Sequence, residues 1–170
     1  MRLNRLVRDR RGSAAVEFAL VFPVIMLLYY GMAEGTQVLL ANRRVSSIAT
    51  AVGDLTAQRT QLSKAQIDDI FNISAAALKP FPVTGLGIRV VSIQNDANGA
   101  STVMWTEQRG SFPAGTSLAT VEKTPNLAII RAETIYTYNS PFGRIFPDAF
   151  TFEHKMDLKP RGGVAVVLLN

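Results

Sequence analysis

The sequence contains no cysteine and only one histidine among its 170 residues. The lack of cysteine excludes a disulfide framework, a thiolate zinc site and a cysteine nucleophile. Charged residues are also scarce, at 18% of the chain, against about 25% in an ordinary soluble domain. Hydrophobic residues make up 48%, which excludes wholesale disorder, because disordered chains are polar and rich in charge.

The positive charge is concentrated at the N-terminus. A formal net charge of +5 first suggests a nucleic-acid partner. Residues 1–12, however, contain five arginines and one aspartate, so four of the five net positive charges lie in this leader. The arginines are Arg2, Arg5, Arg8, Arg10 and Arg11. Because the rest of the chain is nearly neutral, we expect no nucleic-acid partner.

A long apolar run follows the leader. Residues 13–33 read SAAVEFALVFPVIMLLYYGMA and contain one ionisable side chain, Glu17. As a helix rising about 1.5 Å per residue, this run spans about 31 Å, close to the hydrocarbon thickness of about 30 Å in a bilayer. The arginines before it predict that the N-terminus stays in the cytoplasm and that the rest of the chain lies outside. The run is therefore predicted to cross a membrane once.

Other interpretations of the run fit less well. A buried core helix seldom extends this far without a polar face. A cleavable secretory signal has an apolar stretch of about 7–15 residues and an A-x-A-like site, whereas residues 18–33 form a longer stretch and Ala33, Glu34 and Gly35 match that site poorly. Two alternatives remain open: an exported enzyme released near Gly35, and a signal-anchored periplasmic binding domain.

A glycine and a glutamate stand at a distinctive spacing around the start of the run. Gly12 lies at the boundary between leader and apolar run, and Glu17 is the fifth residue counted from Ser13. This arrangement resembles the processing site of type IV prepilin-like proteins, where a dedicated peptidase cuts after the glycine. The resemblance implies cleavage between Gly12 and Ser13, and pairing of Glu17 with the N-terminal amine of a neighbouring subunit. Phe18 departs from the tyrosine usual in short Flp-type pilins, and Pro23 is expected to kink the helix.

The surrounding residues indicate one family among the prepilin-like proteins. The block RRGSAAVEFALVFPVIMLLYYGMAEGTQVLLANRRV resembles the TadE-like family of tight-adherence (Tad) pilus proteins, and IIRAETIYTYNSPF is more loosely similar to the ends of such proteins. The resemblance implies a minor pseudopilin of the Tad/Flp pilus and secretion machinery, with the prepilin peptidase and other pilins and pseudopilins as partners. It also implies a role in pilus assembly, adhesion and biofilm formation. A type II secretion pseudopilin is the closest alternative.

Beyond the run, the sequence predicts an α+β fold. Apolar residues spaced by three and four predict an amphipathic continuation of the helix to about Thr56. These residues are Val38, Ala41, Val45, Ile48, Val52 and Leu55. A capping-box pattern at Ser63 and Gln66 predicts a second helix ending near Lys79, since Pro80 follows.

An antiparallel sheet is expected after the second helix. The alternating segments predict strands over residues 87–94, 101–108, 127–138, 150–158 and 163–169. The predicted organisation is a leader (1–12), a hydrophobic helix (13–33), its amphipathic continuation (34–60) and a periplasmic α+β head (61–170).

The head shows no catalytic or metal-binding pattern. His154 has no serine or threonine placed to act with it, and Glu153 faces the opposite side of a strand. Residues 96–107 match a calcium loop only in part, because Ala100 stands where a ligand is required. Aromatic residues at strand spacing are expected mainly in the core: Trp105, Tyr136, Tyr138, Phe142, Phe146, Phe150 and Phe152. We predict a non-enzymatic protein without cofactor, metal ion or small-molecule substrate.

Overall fold

The described part of the chain consists of residues 12–112, 118, 120–140 and 149–169 in a computed structural model. The leader arginines Arg2, Arg5, Arg8, Arg10 and Arg11 lie outside these residues, as do Phe142 and Phe146. The helices are α1 (Ser13–Ala57) and α2 (Lys64–Ala76). The strands are β1 (Gln61–Ser63), β2 (Leu86–Asn95), β3 (Ser101–Arg109), β4 (Ala128–Tyr138), β5 (Phe150–Leu158) and β6 (Val167–Leu169). This confirms the α+β fold, with a long N-terminal helix, a second helix and an antiparallel sheet.

Helix α1 changes character along its length. Its first part carries exposed apolar side chains, whereas the part after Val38 buries most of the predicted stripe. The fully buried members are Ala41, Val45, Ile48 and Val52. The α-helical conformation continues through Pro23 and through Gly31 and Gly35. Two compact units, Met1–Gln37 and Val38–Asn170, divide the chain near this change.

Helix α2 begins with the predicted capping box. The Gln66 N–H donates to Ser63 Oγ at 3.3 Å, and the Ser63 N–H donates to Gln66 Oε1 at 2.9 Å. The prediction that this helix ends near Lys79 was wrong, because it ends at Ala76. The following N–H groups bond to carbonyls three residues back, which tightens the last turn, and Arg44 Nη1 donates to the Ala77 carbonyl at 2.9 Å.

The main sheet has the order β3-β2-β4-β5, and each neighbouring pair is antiparallel. The hairpin between β2 and β3 uses Asp96, whose Oδ1 accepts the N–H groups of Asn98 and Ala100 at 2.8 Å each. This carboxylate therefore stabilises a turn, which explains the partial likeness to a calcium loop. Gly99 completes the turn at φ 80°, a conformation that glycine adopts without steric cost.

The C-terminal strand differs from its prediction in length and in pairing. Strand β6 begins at Val167 rather than at residue 163, because Gly163 closes a turn by donating its N–H to the Pro160 carbonyl at 3.0 Å. It pairs in parallel with β1, a strand that the sequence analysis did not predict. A strand of three residues is too short to show an alternating pattern. Next to it, the Val166 carbonyl accepts Trp105 Nε1–H at 2.7 Å.

Helix α1, from Val38 onward, packs against one face of the main sheet. The Thr134 hydroxyl donates to the Val45 carbonyl at 3.2 Å, and His154 Nε2 lies 2.7 Å from Asn42 Oδ1. His154 is thus a half-buried strand residue that joins β5 to the helix. Its hydrogen bond crosses between elements far apart in sequence.

Gly53 allows a close approach between helix and sheet. A Cβ atom there would lie 3.3 Å from Ala132 Cβ and would collide with Leu158 Cδ1. We expect Gly53→Val to lower the free energy of unfolding by about 1–3 kcal/mol, because a packed core yields poorly to added methyl groups. Urea unfolding of the full chain in detergent, followed by Trp105 fluorescence, would measure this change. Ser47→Val, which places the same side chain at an exposed site of α1, should stay within about 0.5 kcal/mol. Equal effects of the two variants would contradict the close contact.

Candidate processing and assembly site

The predicted processing site lies at the start of α1. Gly12 immediately precedes the helix, Ser13 is its first residue, and Glu17 follows about one turn later. The Ser13 hydroxyl donates a hydrogen bond to Glu17 Oε1 at 2.9 Å. All three residues are exposed. The bond predicted to be cleaved and the residue predicted to pair with the new amine therefore lie within about one helical turn of each other.

The Glu17 carboxylate lies just beyond the first turn of α1, near the N-terminus of the helix. The first N–H groups of a helix have no acceptor within it and give its N-terminus a partial charge of about +0.5. The hydrogen bond from Ser13 holds the Glu17 carboxylate near this end. Cleavage after Gly12 would create an α-amine on Ser13, four residues before Glu17. An unpaired charge at the end of an apolar helix is costly, so the amine and the carboxylate each favour a partner of opposite charge.

The helix that follows the site exposes a continuous apolar surface. Phe18 is 62% exposed and Met32 is 75% exposed, and most of the apolar side chains between them are also exposed. The rings of Phe18 and Phe22 contact each other on this surface in a tilted arrangement, with centroids 5.5 Å apart. Helix α1 is long and apolar enough to cross a membrane once. The site thus stands at the N-terminal end of a helix suited to a single membrane anchor.

A charged cluster on the main sheet was missed by the sequence analysis. Arg89 on β2 and Glu133 on β4 are direct cross-strand neighbours, and Arg89 Nε donates to Glu133 Oε2 at 2.6 Å. Both side chains are buried, with 7% and 2% exposure. Lys155 Nζ on β5 approaches the other Glu133 oxygen at 3.9 Å. The guanidinium of Arg89 also lies 4.5 Å from the centroid of the Phe112 ring.

A second ion pair stands two residues along the same strands. Arg131 on β4 holds Asp157 on β5 with two hydrogen bonds of 2.6 Å each. The Arg131 side chain is 1% exposed, and Thr120 accepts a further hydrogen bond from it at 3.2 Å. The hydrogen bonds to Asp157 raise the pKa of Arg131 above its ordinary value, against the opposing effect of burial. The paired charges satisfy one another, so the cluster is suited to fixing the strands.

One signal in the sequence pointed to this cluster. Arg131 and Glu133 interrupt the otherwise apolar LAIIRAETIYTY segment at positions two apart, which places both on one face of a strand. Arg89 interrupts GIRVVSIQ in the same way. Charges at this spacing usually mark a solvated face. In the structure, however, Phe112 contacts Arg89 and Thr120 contacts Arg131 on this face. The sequence between β3 and β4 has no regular pattern, so it did not predict these contacts.

Comparison with known proteins yields a match for the N-terminal segment. The family model described as TadE-like protein matches residues 12–53, a segment that begins at Gly12 and runs through most of α1. No curated protein and no solved structure matches the chain. The strands lie outside the matched segment. Over residues 12–53, this chain is similar to the TadE-like family.

Proposed function

We propose that this protein is a minor pseudopilin of a Tad/Flp pilus assembly and secretion system. A prepilin peptidase cuts it after Gly12, and the mature chain contributes to pilus biogenesis, adhesion and biofilm formation together with other pilins and pseudopilins. The unit Val38–Asn170 supports a minor role, because the major pilins of this system are much shorter chains. The proposed protein is a structural component without catalytic activity.

The observation that carries the proposal is the placement of Gly12, Ser13 and Glu17 at the head of an exposed apolar helix. A peptidase at the cytoplasmic face needs access to the Gly12–Ser13 bond, and both residues are exposed. Cleavage removes the basic leader while α1 keeps the protein in the membrane. The Glu17 carboxylate then remains to pair with the α-amine of a neighbouring subunit.

The proposed topology follows from the leader and the helix. The five leader arginines favour retention of the N-terminus in the cytoplasm. The apolar part of α1 then crosses the inner membrane once, and the unit Val38–Asn170 lies in the periplasm. Incorporation into a fibre would carry this unit outward with the helix.

An exported enzyme released near Gly35 is less consistent with the local structure. Residues 33–35 lie inside the continuous helix α1, and Glu34 is only 4% exposed. Proteolytic nicking occurs mainly at exposed loop tips, where the backbone can adopt an extended form. The Gly12–Ser13 bond is exposed and lies at the very start of the helix, so a protease can reach it more easily than the bonds at residues 33–35.

The N-terminal residue of the membrane-bound protein tests the proposal. We expect a chain that begins at Ser13, lighter by the leader, when the prepilin peptidase is present. Deletion of the peptidase should restore a chain that begins at Met1. Intact-mass spectrometry and N-terminal sequencing of protein purified from membranes of the two strains would measure both states.

A glycine variant gives this experiment its control. Gly12→Val should give the uncleaved chain even when the peptidase is present, because a branched side chain replaces the residue before the cut. Gly31→Ala, where a Cβ would meet no atom within 4 Å, should be cleaved normally. A chain that begins near Gly35 in the soluble fraction, or an intact Met1 in both strains, would contradict the proposal.

A further inference from the structure

Strands β3 and β5 form the two edges of the main sheet. Among the strands that the structure describes, β3 pairs only with β2 and β5 pairs only with β4. The outer N–H and C=O groups of an edge strand can add a further strand, and bulges or covering segments commonly prevent this. The residues of β5 pair with β4 without a register shift, so this edge has no bulge. Strand β5 therefore offers a regular edge to which another strand can pair.

The edge of β3 is regular only in its second half. The register of β3 against β2 shifts between Ser92 and Ile93, which marks a bulge in the first half. The segment from Trp105 to Arg109, by contrast, pairs with β2 without a shift. A bulge disrupts the ladder locally, whereas an unshifted segment keeps its edge groups in the ordinary alternation. The second half of β3 can therefore pair with a strand of another molecule.

The two helices cover the same face of the sheet, one at each edge. Asn42 on α1 contacts His154 on β5, and Asp68 on α2 forms an ion pair with Arg109 on β3 at 3.0 Å. Neighbouring strands lie about 4.8 Å apart, and packed helices lie about 8–10 Å apart. If β3 of a second copy paired with β5, α2 of that copy would lie about two strand spacings from α1, close to the ordinary distance between packed helices. The helix layer and the sheet can therefore both continue from one copy into the next.

The strand directions allow this contact without inverting a copy. Each neighbouring pair in the order β3-β2-β4-β5 is antiparallel, so β3 and β5 run in opposite directions. Strand β5 of one copy and β3 of a second copy in the same orientation therefore form an antiparallel pair. Antiparallel pairing of β5 with β5 of a second copy would instead turn that copy end for end. Copies anchored in one membrane share one orientation, which favours the contact between β5 and β3.

We propose that β5 of one copy pairs with β3 of a second copy, antiparallel and with His154 opposite Glu107, so that the units Val38–Asn170 join head to tail. The inference rests on the membrane anchoring contained in the proposed function, because that anchoring gives all copies one orientation. The contact is heterologous, since each copy uses β5 toward one neighbour and β3 toward the other. Such a contact repeats from copy to copy.

The side chains on the helix-covered face match one another in this register. Directly opposite residues of an antiparallel pair have Cβ atoms about 4.5–5.5 Å apart, so their side chains interact. His154 lies opposite Glu107, so that an imidazole N–H can donate to the carboxylate or an imidazolium can form an ion pair with it. Phe152 lies opposite Arg109, whose side chain is 40% exposed and thus accessible for a cation–π contact. Both cross-strand pairs therefore favour the proposed contact.

Other registers lose this match. A shift of two residues in one direction places His154 opposite Arg109, two groups that repel when the imidazole is charged. The opposite shift places the Glu107 carboxylate beside the Phe152 ring, whose face is also negative. A shift of one residue turns every side chain of the strand to the other face. The charges thus select a single register.

The lack of cysteine in the sequence allows a direct test by disulfide formation. In the proposed register Glu153 lies opposite Gln108, and both residues are exposed on the face away from the helices. The double variant Glu153→Cys/Gln108→Cys cannot close a disulfide within one chain. Three strand spacings, about 14 Å, separate β3 from β5, whereas a disulfide joins Cα atoms no more than about 7 Å apart. Mild oxidation of the full chain in membranes should therefore yield a ladder of linked copies on a non-reducing gel.

The single variants and an unrelated pair provide the controls. Glu153→Cys alone and Gln108→Cys alone should stay monomeric. Glu153→Cys/Asp69→Cys, with its second cysteine at an exposed site of α2, reports on random collision. We expect the linked fraction of the Glu153→Cys/Gln108→Cys variant to exceed that of the α2 pair severalfold. Adding Glu107→Lys, which places a cation opposite His154, should reduce the linked fraction severalfold, and an unchanged fraction would overturn the register.

The possible failures separate this contact from the proposed function. A linked fraction no greater than that of the α2 pair, in chains that begin at Ser13 and stay in the membrane, would overturn the contact alone. Dimers without a ladder in Glu153→Cys/Lys155→Cys would assign twofold pairing of β5 and overturn the head-to-tail order. Chains that leave the membrane would contradict the anchoring, and with it the shared orientation of the copies. Trp105 fluorescence of each variant verifies that it is folded.

Discussion

Replacing Glu133 with glutamine is expected to lower the free energy of unfolding by about 3–5 kcal/mol, because it removes one partner of a buried ion pair. Arg89 remains 7% exposed beside the altered residue and loses its charged neighbour. Burial of a charge without its counter-charge is expensive, since the interior cannot solvate it as water does. Urea unfolding in detergent, monitored by Trp105 fluorescence, would measure the loss.

A double variant separates the ion pair from mere packing. Arg89→Met combined with Glu133→Leu removes both charges and keeps apolar volume, so it should recover most of the stability lost by Glu133→Gln. Asp68→Asn breaks an exposed pair with Arg109 and should cost less than about 1 kcal/mol. If Glu133→Gln cost no more than Asp68→Asn, the two carboxylates would be equally dispensable and the buried pair would have no special role.

The buried pairs also explain how the strands keep their register. Arg89 stands opposite Glu133, and Arg131 stands opposite Asp157. A shift of one residue would turn every side chain of a strand to the other face and separate each pair. Because both Arg89 and Arg131 are buried, the register that leaves them unpaired is strongly disfavoured.

The elements that were predicted correctly are those with long, regular patterns. The apolar run and the three-and-four spacing after Val38 identified α1, and alternation identified β2 through β5. Strand β1 was not predicted and β6 was predicted with the wrong start, because three residues carry too little pattern. Their parallel pairing joins segments about a hundred residues apart, which no local pattern indicates. The contact of Asn42 with His154 depends in the same way on tertiary packing.

The sequence revealed the candidate processing site but not the buried ion pairs of the sheet. The Gly12 and Glu17 spacing is local in sequence, so the residues alone reveal it, and its functional role stays a prediction. The Arg89 and Glu133 pair required knowledge of which strands are neighbours. Its burial further depended on a loop, carrying Phe112, with no regular pattern.

Replacing Glu17 with alanine is expected to leave cleavage and membrane insertion unchanged but to reduce incorporation into fibres. In the assembly, the Glu17 carboxylate would pair with the Ser13 amine of a neighbouring subunit. A hydrogen bond to a charged group contributes about 1.5–3 kcal/mol, which corresponds to a reduction of about tenfold to a hundredfold. Immunoblots of sheared fibres and of membranes, with the membrane amount as reference, would measure incorporation.

Ser13→Ala is the matched control for this experiment. In the uncut chain the Ser13 hydroxyl donates to Glu17, so Glu17→Ala also removes that hydrogen bond. Ser13→Ala removes the same bond but retains the α-amine after cleavage, and it should therefore incorporate nearly as well as the native chain. Equal losses in the two variants would assign the effect to the hydroxyl contact, and undiminished incorporation of Glu17→Ala would show that the carboxylate has no part in subunit pairing. A selective loss in Glu17→Ala is the result that pairing between subunits requires, because only that variant leaves the Ser13 amine of the neighbouring subunit without its counter-charge.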